Sequence, residues 1–188
     1  MKRLLSSPTD ASSSKKANKS SDFLVNIHNE RLKEGESILD FKFKKKRVKI
    51  LTKAEEVAEN KNGIVYWMSR DMRVQDNWAL LMAQKLALKN TLPLHVVFCL
   101  AENFLGATIR HYKFLLKGLE EISEECKDLD ISFHLLRGHA GDQIPKFIED
   151  FKIGALVVDF SPLRISRGWL SDVQEKLAKD IPLVQVDA

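Results

Sequence analysis

An open α/β fold, a five-stranded parallel sheet covered by helices on both faces, is the architecture this 188-residue sequence predicts. Three observations carry it. Apolar runs of strand length recur at Ile64–Met68, Leu94–Leu100, Ile131–Leu136, Ala155–Phe160 and Leu183–Val186. Helical patterns fill the gaps between them, at Asn77–Lys89, Thr108–Lys127, Gln143–Phe151 and Trp169–Lys179. Near-continuous apolar strands alternating with helices belong to a sheet buried on both sides. Finally, the unusual residue clusters fall in the segments 69–76, 101–107, 137–142 and 161–168. Right-handed crossovers bring all four to one carboxyl edge.

Taken in order, residues 1–21 are Ser, Lys, Asn, Ala and Pro with almost no large apolar side chain after Leu5. Such a segment cannot offset the entropy of ordering, so a disordered basic arm is expected. Residues 22–62 read as an extension. Ser21-Asp22 offers a cap to a short helix, Phe23 to Lys33, whose Phe23, Leu24 and Ile27 suit one face. Phe41-Lys42-Phe43-Lys44 alternates and runs into Lys44-Lys45-Lys46-Arg47. That run reads as a solvated connector, an importin-type address or an electrostatic contact with nucleic acid. With Lys15-Lys16 upstream, a connector doubling as a nuclear address is favoured.

Residues 63–188 form the expected domain. Ile109, Tyr112, Leu116, Leu119 and Ile122 of its second helix repeat at three- and four-residue steps, with charge on the other faces. Pro93 and Pro182 stand just before strands, where a missing N–H costs least. The last strand has no helix after it, which reads as the front part of a larger protein or a truncated product.

Composition narrows the function. Residues 1–50 hold 13 Lys/Arg against 6 Asp/Glu, and the rest hold 17 against 20. The pI of about 9.0 therefore belongs to the arm, and the domain carries no evident footprint for DNA. Neither a secretory hydrophobic region nor a membrane-length apolar run occurs, which points to an intracellular chain. Cys99 and Cys126 have no ligand spacing and read as buried reduced thiols. The sequence contains no G-x-G-x-x-G, P-loop or G-x-S-x-G motif. His95, His111 and His134 read as structural. His139, in Gly138-His139-Ala140-Gly141-Asp142, is a site candidate beside the reading of a turn capped by Asp142. No catalytic set and no metal set emerges.

The densest signal is Gly63-Ile64-Val65-Tyr66-Trp67-Met68-Ser69-Arg70-Asp71-Met72-Arg73-Val74-Gln75-Asp76-Asn77-Trp78-Ala79-Leu80. A strand ends at Arg70, Asp71, Arg73 and Asp76, and a helix begins. One reading is structural: Asp76 or Asn77 caps the helix, and Arg70 and Arg73 pair with Asp71 and Asp76. The other is a ligand site, since open sheets bind at this edge. Trp67, Met68, Phe160 and Arg164 offer stacking surfaces and a charged donor for a flat conjugated ligand, with Ser69, Arg70 and Ser161 beside them. Filling of the core by Trp67 and Phe160 is the alternative. Asp159, at the end of the fourth strand, is unassigned between structural and acid–base roles.

The pattern Trp67-x-x-Arg70-Asp71-x-Arg73-x-x-Asp76-Asn77-x-Ala79-Leu80 resembles the opening motif of the photolyase/cryptochrome family. Phe104-Leu105-Gly106-Ala107-Thr108-Ile109-Arg110-His111-Tyr112, Asp159-Phe160-Ser161-Pro162-Leu163-Arg164 and Val184-Gln185-Val186-Asp187-Ala188 sharpen the likeness toward the class II cyclobutane-dimer photolyases. The resemblance covers about Lys44 to Ala188. It implies a Rossmann-like domain that shelters an antenna deazaflavin or folate in some members. It further implies a helical domain, absent here, that holds FAD and damaged DNA, where reduced FAD passes an electron to split the pyrimidine dimer. Trp67, Arg70, Asp71, Arg73, Asp76 and Asn77 match the family motif and are expected to fix the edge loop and domain contact. Met68, Ser69, Arg70, Phe160, Ser161 and Arg164 are the expected antenna crevice. A free-standing nucleotide- or chromophore-binding module and a cryptochrome-like signalling relative are the competing readings.

Overall fold

The computed structural model describes residues 23, 25–27, 29, 30 and 33–187. Two compact units are distinguished, residues 1–40 and 41–188. In the first, the described residues between 23 and 34 are helical and a turn occupies 38–40. The expected disordered arm and the cap at Ser21-Asp22 lie outside the described residues.

The second unit is built on a six-stranded sheet: β1 (Val48–Ile50), β2 (Gly63–Trp67), β3 (Leu94–Leu100), β4 (Ser132–Arg137), β5 (Ile153–Asp159) and β6 (Leu183–Val186). Four helices join them: α1 (Trp78–Asn90), α2 (Ile109–Asp128), α3 (Ala140–Asp150) and α4 (Arg164–Lys176). The order across the sheet is β1-β6-β5-β2-β3-β4. β2 through β6 run parallel, as the sequence predicts. The sixth strand is a correction to the expected five: β1 pairs antiparallel with β6, Val48 opposite Val186 and Ile50 opposite Val184. An antiparallel strand on one edge of an otherwise parallel sheet is a common arrangement.

Side chains of β2 and β5 alternate between two cores, as period-two geometry requires. Ile64, Tyr66, Met68, Ala155 and Val157 pack with Leu80 of α1 and Leu119 and Ile122 of α2. Val65, Trp67, Leu156 and Val158 pack on the other face with Ile144 and Phe147 of α3 and Val173 of α4. Every residue of β2 and β5 is buried, which explains why these strands read as unbroken apolar runs. β2 begins on glycine for a steric reason, since a Cβ at Gly63 would lie 2.7 Å from His95 Cδ2.

The helix starts need correction. α3 begins at Ala140 rather than Gln143, because His139 is its N-cap and accepts from the Gly141 N–H at 3.2 Å. Asp142 is therefore not the cap. It sits in the first turn and forms an ion pair with Lys176 of α4. α4 begins at Arg164 rather than Trp169, so Arg164 opens a helix instead of closing a loop. α1 starts where expected: Asn77 caps it by accepting from the Leu80 N–H at 2.9 Å. Asp76 does not cap. It takes the left-handed backbone at φ 51 that turns the chain into the helix.

Candidate functional site

Sheet order reverses between β2 and β5, so the carboxyl ends of these strands form the switch point where open α/β folds receive ligands. Here that position is closed by the protein itself. Asp159, the last residue of β5 and 3% exposed, turns its carboxylate to the loop after β2. The N–H groups of Ser69, Arg70 and Asp71 donate to its Oδ2 at 3.0, 2.8 and 3.3 Å. Tyr66 donates its hydroxyl to Oδ1 at 2.7 Å. Successive backbone N–H groups of this kind form the concavity that holds phosphate in nucleotide-binding folds. In this chain the concavity is filled by Asp159.

Asn77 completes the junction. Its Nδ2 donates to Tyr66 Oη at 2.9 Å and to the carbonyls of Asp71 and Arg73, each at 3.0 Å. One buried amide thus caps α1, holds Tyr66 and closes the loop. Burial pushes the Asp159 carboxyl above the usual carboxylate range, against the pull of the Arg70 N–H, Tyr66 hydroxyl and the other two amides. Burial also raises the Tyr66 phenol well above its ordinary value, and the nearby Asp159 charge adds to that. Tyr66 therefore stays a donor.

The motif residues divide accordingly. Asn77 and the backbone at 69–73 do the bonding, while Arg70, Arg73 and Asp76 expose their side chains. The expected pairing of Arg70 and Arg73 with Asp71 and Asp76 is absent from the ion pairs among the described residues. Arg70 instead donates from Nη1 to the Phe160 carbonyl at 3.0 Å. Solvated charges gain little from pairing, whereas a buried carboxylate demands donors.

Of the six residues expected to line an antenna crevice, Met68 is fully buried against the first core and cannot face a ligand. Trp67, at 3% exposure, fills the other core, as the alternative reading holds. Ser161 is buried, and Phe160 and Arg164 are exposed beyond the closed junction. Between β2 and β5 a void of about 10 Å³ remains beside Trp67, Ser69, Asp159 and Ser161. Such a space holds at most one water.

The roomier crevice lies one strand over, past the ends of β2 and β3 and against α2. It measures about 200 Å³ and is lined by Ser69, Met72, Phe98, Leu100, Phe104, His111, Tyr112 and Trp169, among others. Phe104 and Trp169 stand 5.9 Å apart at its wall. Tyr112 is fixed by donating to the Ala101 carbonyl at 3.0 Å, and His111 Nδ1 accepts from the Thr108 N–H at 3.1 Å. Ser69 alone is shared with the expected list. Phe104 and Tyr112 stand inside a quoted motif, but Trp169 joins them only through the fold.

Cys99, half-buried at the same crevice, and buried Cys126 are both free. Burial raises each thiol to about 11, so neither is a ready nucleophile. Among the described residues no group of three or more His, Cys, Asp and Glu could hold a metal ion. No helix among them is long and apolar enough to cross a membrane.

The described residues thus form a doubly wound α/β domain whose switch point is closed by its own carboxylate, with an open aromatic crevice beside it. Residues 64–188 match the DNA photolyase family model, two-thirds of the chain, and the chain belongs to that family as its N-terminal α/β domain. It is 53% identical over 162 residues to a deoxyribodipyrimidine photo-lyase of Potorous tridactylus, covering 86% of this chain and 30% of that protein. A deoxyribodipyrimidine photo-lyase of Arabidopsis thaliana is 39% identical over 144 residues, covering 76% of this chain and 29% of that one. The chain thus spans about three-tenths of the length of these relatives. A cryptochrome structure from Synechocystis sp. PCC6803 superposes with a TM-score of 0.54 at 15% identity, covering 61% of this chain and 25% of that one. That likeness speaks to the fold alone.

Proposed function

We propose that this chain is the antenna-sheltering portion of a class II cyclobutane pyrimidine dimer photolyase, an enzyme of light-driven DNA repair. The observation that carries the reading is the aromatic crevice beside a phosphate concavity already filled by Asp159. A nucleotide-binding module of this fold needs that concavity for phosphate, so the competing nucleotide reading loses its anchor. The quoted segments at Tyr66–Leu80, Phe104–Tyr112 and Asp159–Arg164 support the class II assignment over a cryptochrome-like regulator.

The crevice suits the ring system of a deazaflavin or folate. At about 200 Å³ it lies below the range of pockets that enclose a whole drug-sized molecule, so only the planar part would be sheltered. Phe104 and Trp169 would flank the ring, with Ser69 and His111 as polar neighbours. When bound, such a pigment supplies light absorption and passes the excitation on. Met72, Phe98 and Leu100 exclude water around it. FAD, damaged DNA and the electron-transfer step would belong to a helical domain of the kind the family resemblance implies. The basic segments Lys15-Lys16 and Lys44–Arg47 support nuclear residence through importin.

The test is dimer splitting under blue light by the full reading frame that contains this chain. Light-dependent repair with bound flavin supports the assignment, and F104A is expected to lower the antenna band of the action spectrum without abolishing repair. No flavin and no repair would end it.

A further inference from the structure

One feature of the fold stands apart from both edge clefts. Phe41, Phe43 and Trp78 form a trio of half-buried rings, with centroids 5.1 Å apart for Phe41–Phe43, 5.4 Å for Phe41–Trp78 and 6.2 Å for Phe43–Trp78. They line a crevice of about 330 Å³ whose other walls are Lys42, Lys44, Arg47 and the end of β6. Its frame is held in place: the Asp187 N–H donates to the Arg47 carbonyl at 2.8 Å, and Lys85 donates to the Phe41 carbonyl at 2.6 Å. Lys42, Lys44 and Arg47 are exposed and enter no ion pair among the described residues. Asp187 is the one carboxylate on the lining among the described residues.

An aromatic floor under a rim of unpaired cations has a specific chemical counterpart. Rings without charge would take an apolar side chain, and cations without rings would take any polyanion. Together they match a planar base stacked on a ring with phosphates beside it. We propose that this crevice binds single-stranded nucleic acid without sequence preference, one base against the Phe43–Trp78 rings and the backbone phosphates on Lys44 and Arg47. Residues 51–188 hold 17 Lys/Arg against 20 Asp/Glu, so the crevice sets where on this domain a strand would lie. The inference does not rest on the antenna assignment. It concerns undamaged strands in the dark, so its failure leaves the photolyase reading untouched.

The experiment is a titration of the 188-residue chain against a fluorescein-labelled oligothymidylate at several NaCl concentrations, with tryptophan emission as a second readout. The wild type is expected to bind, weaken with salt and show quenched emission. K44Q/R47Q should weaken binding at least tenfold and lower the salt slope by about 1.4, two contacts at about 0.7 each. F43L, which keeps an apolar filler, should weaken binding about fivefold or more and remove most of the quenching. K15Q/K16Q, which alters the arm alone, should change affinity less than twofold. Circular dichroism checks that each variant is folded. The proposal is overturned if K44Q/R47Q binds like wild type or if the arm variant loses as much as K44Q/R47Q. Equal competition by polyphosphate or an acidic peptide, with F43L unaffected, would overturn it too, since no base would then be stacked.

Discussion

The two clefts at the carboxyl edge, a few residues apart in sequence, are opposite in kind. Between β2 and β5 the space is reduced to about 10 Å³ by a buried carboxylate, a phenol and an amide that satisfy one another. Past β2 and β3 about 200 Å³ stays open between aromatic walls. The difference teaches how this fold separates a closed polar junction from an open apolar one. The switch point, where folds of this architecture bind phosphate, is an internal lock here, and the open space lies beside it. A lock made of buried polar groups is unforgiving, because each lost partner leaves another unpaired. The crevice, lined by apolar side chains with few such debts, should tolerate change in stability while being sensitive in binding.

Breaking the lock gives the largest effect. Asp159→Ala strands three loop amides and the Tyr66 hydroxyl, and urea unfolding is expected to show a loss of about 3–5 kcal/mol. Asn77→Ala removes a helix cap and three donated bonds and should cost about 2–3 kcal/mol. Tyr66→Phe deletes one hydroxyl from the same network, for about 1–2 kcal/mol. If all three changes are within error of wild type, the junction is no lock. By contrast Phe104→Ala, at a partly exposed ring, should cost under about 1 kcal/mol while weakening a bound pigment severalfold.

Much of the fold was legible because its strands are buried on both faces and say so in composition. β2 and β5 could hardly be read otherwise. β1 was not, because Val48-Lys49-Ile50 is short and carries a lysine at its centre, and its place depends on β6 more than 130 residues away. α3 and α4 start earlier than the sequence predicts, because Gly141 and Gly168 fall in stretches that read as loop. In the structure Gly141 lies against Asp172, where a Cβ would meet its Cβ at 2.7 Å, and Gly168 faces open space. The site was half legible. Asn77 announces itself as a cap by its place before an apolar periodic run. Asp159 does not announce its partners, which lie about 90 positions earlier and meet it only because β5 is seated beside β2. Trp169 reaches the crevice for the same kind of reason.

Smaller effects sharpen the contrast away from the edge. His95 and His134 approach within 3.2 Å beside Phe147 and Phe151, and burial lowers both below the ordinary value of 6.5, His95 further through the neighbouring His134. A lowered folded value means the unfolded chain takes up protons first as pH falls. Their contribution is therefore complete above 6.5 and is lost as pH falls from there through the lowered folded values. Unfolding midpoints at pH 7.5 and 5.5 should differ less in H95Q/H134Q than in wild type. Phe114, Ile109 and Leu105, exposed at 85%, 80% and 78%, leave an uncovered apolar face on α2 and the loop before it. Sedimentation should show concentration-dependent association that I109E/F114E relieves.

The most direct test of the locked junction beside an open crevice is a titration of the purified chain with a deazaflavin and, separately, with ATP. The account predicts saturable deazaflavin binding, weakened severalfold by F104A and indifferent to R70Q, with no saturation by ATP. Tight ATP binding abolished by changes at the loop after β2, with deazaflavin inert, would contradict it.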